Sequence, residues 1–212
     1  MNAAAAEILS AESNIPPPVP LMTFERWANM DEDEPGEFVD GRIVEEEVAS
    51  NVHEIIASWL TGTLRAWGRP RGCPVYGSDH KLRVARTRGR KPDLSVYAPG
   101  KRMRKASFSA EPPMLIVEIV SSSSRDVRRD RVEKRYEYAA FGVQHYWLVD
   151  PDARFFEFLT LDPDGHWHER TNSATGGRIE VTGFDGLILD LDELWTEVDS
   201  IIEPDEIVEE EP

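Results

Sequence analysis

Met114-Leu115-Ile116-Val117-Glu118-Ile119-Val120 is a nearly continuous apolar run with one acid inside it. A run this short, bounded by turn residues and rich in β-branched side chains, reads as a strand covered on both faces. Ser121 to Ser124 follows as a turn, and Asp126 to Phe141 as a helix whose end is marked by Gly142. His145-Tyr146-Trp147-Leu148-Val149 is a second buried strand, closed by Asp150-Pro151. Strand, helix and strand at this spacing make a parallel crossover unit, right-handed by the twist of its strands. The centre of the chain is therefore an α/β sheet.

On the N-terminal side, Lys81-Leu82-Arg83-Val84, Val75-Tyr76 and Leu94-Ser95-Val96-Tyr97 are short extended segments, and Arg86 to Lys91 between them is a highly basic loop. Asn51 to Trp67 carries Val52, Ile55, Ile56, Trp59, Leu60, Thr63 and Leu64 at helical spacing, with Gly68 and Pro70 ending it. Asp40-Gly41 between apolar residues predicts a tight hairpin over 38–44. Thr23 caps a short helix over 24–30, and Asp31 to Pro35 is an acidic loop. On the C-terminal side, Phe155 to Leu161 and His166 to Arg170 flank an Asp162-Pro163-Asp164-Gly165 turn as a hairpin. Gly177 to Val181 adds a strand, and Leu187 to Asp190 leads into a short helix, Leu191 to Trp195. These elements divide the chain into a Pro-rich arm (1–20), one domain (21–198) and an acidic tail (199–212) that cannot bury a core.

The 212 residues carry 40 acidic and 24 basic side chains, for a net charge of −16. The average hides a split: Arg65 to Arg135 holds 19 Lys/Arg against 7 Asp/Glu, net +12, and the remainder is net −28. The basic middle reads either as a phosphate-attracting surface or as the internal partner of the acidic ends. The single cysteine, Cys73, excludes an internal disulfide framework and a cysteine zinc cage. No apolar stretch reaches the roughly 20 residues of a membrane span, and the acidic, Arg-free start lacks the pattern of a secretory signal. The expected location is the cytoplasm.

Glu118 is the residue with most to explain, because a carboxylate within an apolar strand is paired, protonated or bound to metal. Asp93 follows Pro92 and opens a strand; two carboxylates from neighbouring strands suffice for one hard divalent cation when water and phosphate complete its shell. Asp130, Lys134 and Tyr138 share a helix face at i, i+4 and i+8. Read alone, Asp130–Lys134 is an ordinary surface ion pair. Read on a helix that follows the Glu118 strand and packs back on its sheet, Lys134 reaches the carboxylates. Without flanking glycines, the serines at 121–124 do not form a nucleophile elbow.

The ordered set of Lys-Pro-Asp-Leu (91–94), Pro-Pro-Met-Leu-Ile-Val-Glu-Ile-Val-Ser (112–121) and Asp130…Lys134…Tyr138 resembles the PD-(D/E)XK nuclease superfamily. Its Uma-two branch of restriction-endonuclease-like proteins is similar also at Gly36 to Glu45, at His53 and at Gly142 to Pro151, so that the resemblance spans residues 21–195. Two departures stand out: the superfamily lysine two residues after the acid is Val120 here, with Lys134 in its place, and position 122 is Ser where the branch has Pro. The resemblance implies a restriction-endonuclease-like α/β fold, a mixed central sheet flanked by helices with an added C-terminal β-hairpin. It implies a metal-dependent endonuclease, acting on DNA as a homodimer, or a silent module of the same fold that binds nucleic acid or protein. Carried over, Asp93, Glu118 and the backbone carbonyl of Ile119 bind Mg²⁺ or Mn²⁺, Lys134 acts on the transition state, and Glu37 completes the metal shell or is a plain exposed acid. Arg86, Arg88, Arg90, Lys91 and His53 are the expected contacts to nucleic acid, with a local packing role the other reading of His53.

Overall fold

The computed structural model describes residues 21–31, 36–45, 48–120, 128–169 and 174–201. The Pro-rich arm, the acidic loop over 32–35, the serine turn and the acidic tail beyond 201 lie outside the described residues.

The chain begins with α1 (Phe24–Ala28), the hairpin β1 (Glu37–Val39) and β2 (Arg42–Val44), and the long helix α2 (Asn51–Gly68). Strands β3 (Val75–Tyr76), β4 (Leu82–Ala85), β5 (Arg88–Arg90), β6 (Leu94–Val96) and β7 (Leu115–Ile119) follow. A helical crossover, ending in α3 (Arg135–Phe141), leads to β8 (His145–Asp150), β9 (Phe155–Leu161) and β10 (Trp167–Glu169). The hairpin β11 (Arg178–Glu180) and β12 (Ile188–Asp190) precedes α4 (Leu191–Asp199). This is the expected mixed α/β fold, with the C-terminal hairpin present as β11–β12.

The main sheet has six strands in the order β10-β9-β8-β7-β6-β3. Only β7 and β8 run parallel, with Leu115 opposite His145 and Ile119 opposite Val149. They are the pair that the crossover helix predicts. Every residue of β7 is buried, because both faces of the sheet are covered. Leu115, Val117 and Ile119 pack with Ile56, Leu60 and Leu64 of α2 and with Leu194 and Trp195 of α4. Ile116 and Val120 pack on the other face with Tyr138, Tyr146 and Leu148. Alternation along the strand puts Glu118 on this second face, under the crossover helix.

The helix α2 starts where Ser50 accepts from the His53 amide, and its buried Ile56, Leu60 and Leu64 recur every fourth residue. The α-helix ends at Gly68, where Gly68 and Pro70 predict its end. A 3-10 turn over Arg69–Arg71 accommodates Pro70 near its start, and Gly72 ends it in the left-handed region at φ 70°. The helix expected over 24–30 is present as the shorter α1, which ends at Ala28 with Asn29 as its C-cap, and Thr23 accepts from the Arg26 amide.

One expectation is corrected. Arg86 to Lys91 is not a basic loop, since Arg88–Arg90 is strand β5, paired with both β1 and β4 in a second sheet of order β2-β1-β5-β4. The exposed tip is reduced to Arg86-Thr87. The reason lies in α1. The Trp27 ring rests on the backbone of Gly89, so close that an added Cβ would overlap it. Phe24, Trp27, Ala28 and Phe38 form a small core beneath this sheet, and the glycine lets the strand approach it. The opposite end of the sheet is turned by Asp40 (φ 48°) and Gly41 (φ 79°), the paired positive angles of the tight hairpin that Asp-Gly predicts.

Gly89→Ala should therefore destabilise the protein by about 1–3 kcal/mol, the usual penalty of overpacking. Gly62, in the middle of α2, would meet nothing within 4 Å if it gained a Cβ, and Gly62→Ala should stabilise by roughly 0.5–1 kcal/mol. Urea denaturation of the two variants checks both signs.

Candidate active site

A cavity of about 540 Å³ opens between α2, the ends of β6 and β7, and the crossover helix. Its wall includes His53, Asp93, Glu118, Asp130 and Lys134. Asp93 arrives at the mouth of β6, directly after Pro92. Its Oδ2 accepts the Ile119 amide at 2.6 Å, tying the start of β6 to the end of β7. Its Oδ1 lies 3.1 Å from Nε2 of His53, in the first turn of α2. Burial alone would lower the pKa of His53, but the hydrogen bond and charge of Asp93, helped by Glu54, raise it above its ordinary value.

Glu118 is almost wholly buried. Its Oε2 accepts from Lys134 Nζ at 3.0 Å and its Oε1 from the Tyr138 hydroxyl at 2.6 Å. Lys134 has two further carboxylates around it, Asp130 at 3.0 Å and Glu37 at 3.6 Å. Burial opposes its charge, but these three acids raise its pKa well above the ordinary lysine value, so it is an ammonium. For Glu118 burial acts first and upward. The attraction of Lys134 does not offset it, and the charges of Asp130, Asp93 and Glu37 add to it, leaving the carboxyl well above its usual range. Glu37 is the exception among the three. Burial raises it, yet Lys134, Arg90 and the Lys91 amide together hold it below the usual value.

The crossover helix differs from the expected regular α-helix. Among the described residues it is a π-helix from Arg129 to Lys134 and an α-helix over Arg135–Phe141. The wider turn brings Arg129, Asp130 and Lys134 all inward. Such turns recur at functional sites. Asp130–Lys134 is thus a buried pair rather than a surface one. Tyr146 secures the turn by donating to the Asp130 carbonyl at 3.0 Å.

Glu37 is neither an exposed acid nor part of the cavity wall. It is fully buried on β1, with Oε2 at 2.6 Å from Arg90 and Oε1 accepting the Lys91 amide at 3.0 Å. It meets the site through Lys134. Arg90 is likewise fully buried, clasped by Glu37 and, at 2.7 and 2.8 Å, by both carboxylate oxygens of Glu137. This guanidinium has no face left for a phosphate. Arg88 pairs with Glu137 at 3.0 Å and with Asp40. Lys91 reaches Asp79 at 3.2 Å, and Arg86 is exposed at the β4–β5 turn. Four of the five expected nucleic-acid contacts, Arg88, Arg90, Lys91 and His53, therefore engage acids of the chain itself. Sequence reasoning passed over Glu137, whose partners Arg88 and Arg90 lie 47 and more residues earlier in the chain, and gave Tyr138 no role beyond its helix face.

Replacing Lys134 by Met would leave Glu37, Glu118 and Asp130 without their common cation. Lys134→Met should destabilise the fold by about 3–5 kcal/mol, as for the loss of one partner of a buried ion pair, read as a lower urea midpoint at unchanged slope.

A solved structure described as "a putative nuclease belonging to DUF820 from Anabaena variabilis ATCC 29413" superimposes with a TM-score of 0.65 at 20% identity, covering 84% of this chain and 99% of that one. No curated protein matches the chain. The model of the Uma2 family, described as "Putative restriction endonuclease", matches residues 21–192, which include every residue of the site. The chain belongs to the Uma2 family of restriction-endonuclease-like proteins.

Proposed function

We propose that the chain is a divalent-metal-dependent nuclease that hydrolyses phosphodiesters of DNA. The observation that supports it is the convergence of Asp93, Glu118 and Lys134 on one cavity. The donor set suits a hard cation. Asp93 and Glu118 offer carboxylate oxygens, and the carbonyl of Ile119 is a third candidate. No group of three His, Cys, Asp or Glu among the described residues is arranged to hold a metal, but Mg²⁺ needs only one or two carboxylates with water and substrate phosphate. Burial drives Glu118 upward and the charges of Asp130, Asp93 and Glu37 add to it; a divalent ion would neutralise that surplus of carboxylate.

In this reading Asp93, Glu118 and Ile119 hold Mg²⁺ or Mn²⁺, which when bound would polarise the phosphoryl group and activate water. The chain does the rest. Ile119 N–H and His53 fix the two oxygens of Asp93. Tyr138 and Lys134 fix those of Glu118. Glu37, itself pinned by Arg90, holds Lys134 at the cavity, where its charge offsets that developing on the phosphate in the transition state. Arg86 and His53 remain the expected contacts to the nucleic-acid backbone. DNA is favoured over RNA by the family description alone. A second reading, a module that binds nucleic acid without cutting it, draws support from the full engagement of Glu118 by Lys134 and Tyr138.

Plasmid DNA with Mg²⁺ or Mn²⁺ should be cleaved by the wild type and not in EDTA, and Asp93→Asn or Glu118→Gln should lower the rate at least ~10²-fold. In parallel, the melting temperature should rise with Mg²⁺ concentration in the wild type and not in Asp93→Asn, the mass-action signature of a ligand that binds the folded state. Plasmid left intact by a protein that still binds it would favour the second reading.

A further inference from the structure

The helix α2 does not end at the cavity. Glu54, Ser58 and Thr61, on successive turns, line the cavity that holds Asp93 and Glu118. Arg65 and Arg69, one and two turns further along the same face, line a second depression of about 570 Å³. The opposite wall is shared too. Gly77 and Ser78 line the first cavity, and Val75 and Tyr76, just before them on β3, line the second. The two depressions follow one another along α2 and β3, and together they read as one groove between these elements.

The far end of this groove is strongly basic. The Gly100 amide donates to the Gly72 carbonyl at 3.0 Å and the Tyr97 amide to the Pro74 carbonyl at 2.9 Å. These bonds set the loop carrying Lys101, Arg102, Arg104 and Lys105 beside the turn that follows Arg69. All four are exposed, as are Arg65 and Arg69. Lys101 pairs with Glu111, which also feels the charge of Arg104. Among the described residues, Arg65, Arg69, Arg102 and Lys105 have no acidic partner. In a chain with 16 surplus negative charges, that leaves a bare cationic patch where pairing would be easy to arrange. Arginine supplies most of it, and its planar fork suits phosphate oxygens.

We propose that this groove is a phosphate track, along which a nucleic-acid strand runs from the catalytic cavity to Arg65, Arg69 and the 101–105 loop. The inference rests on the nuclease reading for the identity of the polyanion. At 1.5 Å per helical residue, Arg65 on α2 and Arg69 on the turn that follows it lie roughly 18–24 Å from His53 along the helix axis. That distance is about five to seven phosphates of a strand advancing ~3.4 Å per nucleotide. The continuity of the groove with the cavity is what selects the nucleic acid that is cut, over an acidic protein or a lipid surface, as its occupant.

The test uses the full chain in EDTA, so that binding is read without cleavage. Fluorescent 20-base-pair DNA is titrated at several salt concentrations against the wild type, Arg65→Ala/Arg69→Ala, and Arg102→Ala/Lys105→Ala. Each double variant should keep the wild-type melting temperature, lose on the order of ten- to a hundredfold in affinity near 0.1 M salt, and flatten the slope of log affinity against log salt by about two units. Unchanged affinity and slope in both variants, beside a wild type that binds and cleaves, would overturn the track and leave the nuclease reading intact. Loss of binding in the variants of a wild type that never cleaves would uphold the track and remove the nuclease reading. A wild type that binds no DNA, or variants impaired only toward polyglutamate or anionic vesicles, would overturn the track.

Discussion

A carboxylate at the centre of a buried strand cannot be left to itself, and most of this structure follows from how Glu118 is compensated. Its two oxygens take Lys134 and Tyr138, both from the crossover helix above the strand. That requirement sets the side of the sheet on which the helix lies and its rotation about its own axis. It also reaches further. Lys134 serves Glu37 and Asp130 as well, so the negative charge exceeds what one ammonium balances. Arg90 supplies the missing positive charge by binding Glu37 and Glu137. Arg90 in turn belongs to β5, which reaches this depth because Gly89 gives way to the Trp27 ring. A glycine beneath a tryptophan is thereby linked to the charge state of the Asp93–Glu118 cavity through three ion pairs. Buried networks of this kind are costly when any member is missing, which ties the small sheet to the large one.

The fold was largely legible because its decisive signals are local. The apolar run 114–120 and its parallel partner 145–149, the Asp-Gly hairpin and the fourfold spacing of Ile56, Leu60 and Leu64 each state their structure within a few residues. Asp93, Glu118 and Lys134 were legible for another reason: a lone acid in an apolar strand demands a partner, and the chain offers few. What stayed hidden depends on contacts distant in sequence. Arg88-Gly89-Arg90 looks like a soluble loop because the ring that covers Gly89 lies more than 60 residues earlier. The destination of Arg90 is equally invisible, since Glu37 and Glu137 stand on either side of it in the chain. The π-helix was hidden because its residues are ordinary helix formers, and only Tyr146 and the packing of Lys134 show that the turn is wide.

The uneven distribution of charge also takes on a more definite form. The basic middle of the sequence divides in space. Arg88, Arg90, Lys91 and Arg131 face inward or sideways onto acids of the chain. Arg65, Arg69, Arg102 and Lys105 face outward. The internal-partner reading of the basic segment holds for the first subset, and the second is exposed with no acidic partner among the described residues.

The π turn over Arg129–Lys134 carries a consequence for how such a site can be gained or lost. A π turn is an α turn holding one residue more. Deleting a single residue from it would restore an ordinary helix and swing one flank about 100° relative to the other. Asp130 and Lys134 would then no longer both face the cavity that holds Glu118, although strand, helix and sheet could persist with nearly the same composition. The integrity of this site is thus written partly in a count of residues, so that an indel of one, unremarkable to a fold of this size, separates a chain that assembles the cluster from a sibling that keeps only its scaffold.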